Sequence, residues 1–487
     1  MSFRESSIVV LETGRTAIRA GIGLYELLRT PTIEIQARAG LRRAPGEQPV
    51  AASSRSSVTA PSRTGSASEY IVGKQLDDLL AAGEDLDIVW PFAGGEVSDW
   101  TAAEALWKHV LFTLLPIRRA QNESPVMHAV CPTLSRDVHE LTCKIFFERF
   151  NVPAYSIIER SLCALYATNG LTGLIVDIGS TKTELTPIVE SLIQHNARVV
   201  VPIGSDDCAR YLAHLWRSAS GGVAAALADE PDVDGALFEL AHHALSEGLV
   251  RVPSDGEQAI PEPEDDGVTN IAAVLLAGKE KAVIEAGTKK KRGAAATAAE
   301  REREREIAAL DLVTIAFREK ELTLGKERHR MCEPLLDLGV LASLGPDAVK
   351  DAIEYDDPKE QAIGLPEAVF LAISRLDLAY RQIVLDGLFV CGSIADAKGL
   401  GIALQSRLQA HFTQRGDTQQ PSGAKLLRVP EYFGEYREKG DRLAVFLGAS
   451  IMAKLAFQDT NGRSFVQKSD YATRGPHAII EFCPTVL

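Results

Sequence analysis

No run of about 18 apolar residues occurs in the 487-residue chain, so nothing in it reads as a membrane-spanning helix. The N-terminus carries no signal-peptide pattern. Cysteine is sparse and scattered: Cys131, Cys143, Cys163, Cys208, Cys332, Cys391 and Cys483 include no Cys-x-x-Cys pair. That spacing argues against a zinc site or a disulfide framework and for reduced thiols in a soluble intracellular protein. Positive charge is also in deficit, with 52 Lys and Arg against 66 Asp and Glu and a net charge of −14. A general nucleic-acid-binding surface is therefore not expected. What remains is 46% hydrophobic and 24% charged, the composition of a globular chain long enough for two or more domains.

The most informative stretch is Leu174-Ile175-Val176-Asp177-Ile178-Gly179-Ser180-Thr181-Lys182-Thr183-Glu184-Leu185. An apolar run ends in an acid, a Gly/Ser/Thr turn follows, and alternation resumes, which predicts a β-hairpin. Glycine lets a backbone approach an anion closely, and an acid at a strand end suits the hydrated metal that accompanies phosphates. Ile8-Val9-Val10-Leu11-Glu12-Thr13-Gly14-Arg15-Thr16-Ala17-Ile18 repeats the plan. Two such hairpins roughly 165 residues apart predict a duplicated, two-lobed fold with a cleft between the lobes.

Further blocks fall in order behind these hairpins. Residues 145–155 with Leu165, Tyr166 and Ala167 precede the second hairpin, and Gly325-Lys326-Glu327-Arg328-His329-Arg330 is followed by Glu333-Pro334-Leu335-Leu336. Phe446-Leu447-Gly448-Ala449 and Val466-Gln467-Lys468-Ser469-Asp470-Tyr471, with Arg474-Gly475-Pro476, close the chain. These blocks resemble actin and the actin-related proteins over most of the sequence. The resemblance implies an α/β, actin-like (ribonuclease H-like) duplicated two-domain fold with a central nucleotide cleft. Residues 1–164 and 442–487 would form the first lobe and residues 165–441 the second.

Residues 44–68 form a Ser/Arg-rich stretch in the place of the polymer-contacting loop of actins, with too few apolar anchors to offset ordering entropy. Trp100 to Leu115 has helical spacing with Trp107 and Leu111 on one face; 126–130 should be a buried strand and 133–150 a helix. Residues 205–252 read as mostly helical. A charged insertion at about 253–310 follows, with Pro253, Pro261 and Pro263, an amphipathic stretch at 270–285, the basic run Lys289-Lys290-Lys291-Arg292 and alternating Glu and Arg at 300–306. The basic run suits nuclear import, contact with DNA phosphates or a plain solvated cluster.

The family's chemistry is ATP hydrolysis, and the resemblance places Glu12, Gly14, Asp177, Gly179, Gly392 and Ser393 in its pocket. This chain departs from the pattern at several of those points. Glu12-Thr13-Gly14-Arg15-Thr16 and Asp177-Ile178-Gly179-Ser180-Thr181 stand where actins have smaller phosphate loops, and Arg19 stands at the motif lysine. Cys391-Gly392-Ser393-Ile394 replaces the adenosine-side Gly-Gly-Thr-Thr. Arg160 and Glu184 align with the Gln and His that position the lytic water, a loss worth about 10²–10⁴ in rate. Arg160 and Glu184 are expected to face each other as an ion pair. The site is thus read as a vestigial pocket with no catalytic residue, no required cofactor and no metal site; surviving Asp177, Gly179 and Gly392 leave weak Mg-ATP binding open.

Within the family, the chain is most similar to the fungal actin-related subunits of the SWI/SNF and RSC remodellers, through Pro430-Glu431-Tyr432-Phe433-Gly434-Glu435-Tyr436 ahead of Phe446-Leu447-Gly448-Ala449. This implies a nuclear, non-catalytic scaffold that binds a second actin-related protein, the helicase-SANT-associated helix of the motor and other remodeller subunits, with no sequence-specific nucleic acid and no membrane. Tyr166, Ala167, Asn169, Glu190, Met452 and Leu455 would line the groove for that helix. The alternatives are a pointed-end subunit of dynactin and an active actin-like ATPase.

Overall fold

Every residue of β1 (Val9–Thr13) is buried; the chain turns back as β2 (Ala17–Ile22) and continues to β3 (Ile33–Gln36). The computed structural model describes residues 3–24, 28–42, 66–94, 96–115, 117–132, 135–218, 222–253, 311–344, 363–414, 421–437, 439–458 and 464–483. Most of the 44–68 stretch and nearly all of the 253–310 insertion, including Lys289 to Arg292, lie outside these residues.

A small three-stranded sheet follows, built from β4 (Ala39–Arg42), β5 (Ile71–Val72) and β6 (Leu86–Val89), with helix α1 (Lys74–Ala81) between the last two. Helix α2 (Trp100–His109) begins at Asp99, whose carboxylate accepts the N–H groups of Thr101 and Ala102 and satisfies two donors that a helix start leaves open. Its Trp107 is buried, as the helical spacing predicts. β7 (Val126–Val130) and β8 (Ala154–Glu159), separated by α3 (Arg136–Lys144), extend the first large sheet parallel to β1.

Helix α4 (Arg160–Ala167) leads into the second hairpin, β9 (Gly173–Ile178) and β10 (Thr183–Val189). β11 (Leu192–Ile193) and β12 (Val199–Val201) both pair with β10. The expected helical region is α5 (Ser205–Ser218), α6 (Val223–Ala226) and α7 (Val233–Ser246). A two-stranded unit of β13 (Val313–Phe317) and β14 (Lys320–Leu324) precedes α8 (Glu333–Leu336), α9 (Leu365–Ser374) and α10 (Leu378–Leu385). β15 (Leu388–Gly392) then runs parallel to β9. After α11 (Leu400–Gln414) and α12 (Gly440–Gln458), β16 (Val466–Gln467) returns to the edge of the first sheet beside β8, followed by α13 (Lys468–Arg474) and α14 (Ala478–Phe482).

The two sheets repeat one plan. In each, the strand that ends in the cleft acid is antiparallel to its hairpin partner and parallel to a later strand: β1 with β2 and β7, β9 with β10 and β15. Each lobe has its own apolar core, and a third core lies between them around α4 and α12. The small residues of α12 allow this: a Cβ on Gly448 would lie 1.7 Å from the Cys163 carbonyl oxygen, so the helices cross with backbone against backbone. The boundaries at 164/165 and 441/442 both fall inside these two helices. All seven cysteines are buried free thiols.

Candidate functional site

The two hairpin turns meet between the sheets. Gly14 N donates to Ala17 O and Gly179 N to Lys182 O, both at 2.9 Å, so each glycine N–H closes its own turn. Thr16 Oγ1 and Ser180 Oγ, at the tips, lie 2.9 Å apart. Behind the second turn, Gly392 packs so closely that a Cβ there would lie 2.3 Å from Ile178 O and 2.6 Å from Asp177 Oδ1; its φ of +100° also demands glycine. Ser393 Oγ is 2.9 Å from Ile178 O and 2.8 Å from Ser205 Oγ. All six residues assigned to the pocket from sequence therefore come together.

Their partners differ from expectation. Arg160 and Glu184 do not pair with each other. Arg160 Nη1 lies 2.5 Å from Glu12 Oε1 and its Nη2 lies 3.1 Å from Asp177 Oδ2, while Glu184 accepts from Arg15. The physical reason is reach and charge: Arg160 starts α4 directly behind the first turn, between the two acids. Arg15 leaves the first turn toward β10. Burial works against the charge on Arg160, but the attraction of Asp177 and Glu12 outweighs it and holds its pKa well above the usual guanidinium range. Arg15 is shifted the same way, burial again opposing and Glu184 dominating the attraction.

The ion pairs continue outward. Glu12 also meets Arg19 at 3.1 Å, Arg19 meets Glu34 at 3.1 Å, Glu34 meets Arg442 at 2.7 Å and Arg442 meets Asp396 at 3.4 Å. A second bridge crosses nearby, where Arg198 Nη2 lies 2.7 Å from Glu159 Oε2 and Arg198 Nη1 donates to Pro132 O at 2.8 Å. Past Gly392 and Ser393, residues 395–402, Tyr436, Arg437 and residues 439–442 help line a cavity of about 710 Å³ that Arg442 and Asp396 edge. Space thus remains beyond Gly392 and Ser393, while guanidinium groups fill the space between the two turns.

Residues 3–226 match the actin family model. End to end, the chain is 25% identical over 552 aligned positions to the SWI/SNF and RSC complexes subunit arp9 of Schizosaccharomyces pombe, covering 98% of this chain and 99% of that one. Both likenesses are to actin and actin-related proteins. The chain's paired hairpins, each joined to a parallel strand, are the actin-like duplication seen in the sheets.

The residues assigned to the groove divide. Tyr166 and Met452 are partly buried and pack on the core between the lobes, and Asn169, Glu190 and Leu455 are exposed. Ala167 is a correction: with 0% exposure it belongs to that core and lines nothing, because α4 is enclosed on nearly every side. Sequence reasoning missed Leu171, Leu192 and Tyr432, which are 61%, 68% and 64% exposed. Ser191 N donates to Leu171 O and Glu190 N to Thr172 Oγ1, which sets Leu192 beside the end of α4; Asn169 donates to Tyr432 across the same end. Glu190 and Ser191 both have positive φ, a primed hairpin turn that the Glu-Ser pair does not advertise in sequence.

Proposed function

We propose that this chain is a non-catalytic, structural subunit of a nuclear chromatin-remodelling complex, binding an amphipathic helix of the complex's motor subunit and a second actin-related protein. The observation that carries the non-catalytic part is the capture of both cleft acids by Arg160. Phosphoryl transfer in this fold needs a metal beside the acids and a polar group that orients water. Glu12 and Asp177 each already hold a guanidinium, and Arg160 and Glu184, at the water-positioning places, are tied into ion pairs. The end-to-end likeness to a named remodeller subunit supports the assignment to such a complex.

The helix-binding part rests on Leu171, Leu192 and Tyr432, exposed by the end of α4, together with exposed Leu455 on α12 and the half-buried Tyr166 and Met452. A helix with anchors at i, i+3 or i+4, and i+7 buries its apolar stripe on such a surface, and Met and Tyr adapt to it. The deciding experiment pairs calorimetric titration and phosphate release with Mg-ATP against capture of the helicase-SANT-associated segment of the remodeller motor. Capture with background phosphate release is the expected result. Turnover above background would end the non-catalytic reading, and failure to retain the helix would end the scaffold reading.

A further inference from the structure

The fold family implies a divalent cation and nucleotide phosphates between the hairpins, and the residues present do not fit them. A Cβ on Gly14 would lie 3.1 Å from Arg160 Nη1, so the space over the first turn belongs to that guanidinium. The turn tips already touch through Thr16 and Ser180. Glu12 Oε2, Asp177 Oδ1 and Arg15 Nη1 are buried with no protein hydrogen-bond partner. A cation drawn to those two carboxylate oxygens would be repelled by Arg160, which holds the other oxygen of both groups.

We propose that Arg15 and Arg160 form an internal latch that replaces metal and nucleotide as the closing element of the cleft, so that the two lobes are held together with no ligand bound. Arg15 reaches from the first turn to Glu184 on β10, and Arg160 joins Glu12 on β1 to Asp177 on β9, so each guanidinium spans both hairpins. The side chains of this latch are 2–13% exposed, where ionic strength screens little. Lobe closure in a nucleotide-dependent relative of this fold would follow ligand concentration; here closure is a fixed property of the chain. The groove at the end of α4, framed by elements of both lobes, is then presented ready-made. This deepens the non-catalytic reading and rests on the same occupied carboxylates.

Closure is measured by a cross-link. Thr16→Cys with Ser180→Cys places two thiols where hydroxyl oxygens now lie 2.9 Å apart, and the native cysteines are all buried. Under a mild oxidant the full-length pair should cross-link rapidly, at one rate with or without millimolar Mg-ATP. Adding Arg15→Ser and Arg160→Gln should slow it on the order of tenfold, as the closed population falls. Cross-linking of the parent pair that is slow until Mg-ATP is added would overturn the latch. So would an undiminished rate in the arginine variant. The parent comparison decides even where the arginine variant does not fold. Phosphate release from the same samples separates the two readings: a ligand-dependent cross-link without turnover sinks the latch alone, and turnover sinks the non-catalytic reading.

Discussion

Glu159 ends β8 facing Arg198, and burial pushes its carboxyl up to about 7, above what the neighbouring guanidinium and Ser161 hydroxyl can offset. Because the folded pKa exceeds the unfolded one, this group favours the folded state below about pH 4.5, and that contribution is lost as pH rises to about 7. The shift corresponds to a change on the order of 3 kcal/mol. His128 and His139 act oppositely: burial lowers them to about 3 and about 4, so their contribution is lost as pH falls below the ordinary histidine value. The difference between parent and Glu159→Gln therefore isolates the glutamate. In urea unfolding from pH 5 to 8, the variant should gain stability relative to the parent as pH rises; parallel pH profiles would refute this. At the same scale lies the limit of the sequence reading. The charge exchange at positions 160 and 184 is legible, but which acid each arginine reaches depends on where α4 begins relative to the two turns, and no linear pattern encodes that.

At the scale of elements, the hairpins were legible because an apolar run, an acid and a glycine turn are all local features, and β1, β2, β9 and β10 form as that pattern requires. The crossing of α4 and α12 was not legible, since the apolar signal of α12 runs all round the helix and names no face. Ala167 was misplaced because α4 is enclosed on nearly every side, which its short apolar run does not show. Gly448 fixes the crossing, so Gly448→Ala should force the helices apart and lower stability by the upper end of about 1–3 kcal/mol. An unchanged urea midpoint would show that the crossing yields easily. The groove was half legible: the resemblance supplied Tyr166 and Leu455, while Leu192 depends on an unadvertised turn. Leu192 is 68% exposed, so Leu192→Asp should leave stability within about 0.5 kcal/mol of the parent. Its affinity for the motor-derived helix should fall tenfold or more, as loss of a central apolar anchor does; equal retention of the helix by parent and variant would remove Leu192 from the interface.

For the whole molecule, closure and recognition are separable, because ligands stabilise a fold only by binding it better than the unfolded chain. A helix present at about 100 times its Kd adds about 2.7 kcal/mol. Mg-ATP adds nothing if the acids and the phosphate space are already taken by Arg15 and Arg160. Thermal unfolding followed in parallel should therefore rise by about 3 °C with saturating helix and stay fixed with Mg-ATP. The discriminating sample is Arg160→Gln. Removing one partner from a buried ion pair leaves uncompensated charge and costs about 3–5 kcal/mol, so its melting point should fall while its helix-dependent rise persists, the groove residues being untouched. Should Mg-ATP then raise the melting point of the variant and not of the parent, Arg160 itself is what excludes the nucleotide. Should it raise both equally, the cleft admits ligand past the arginines, and closure of this chain is ligand-controlled after all.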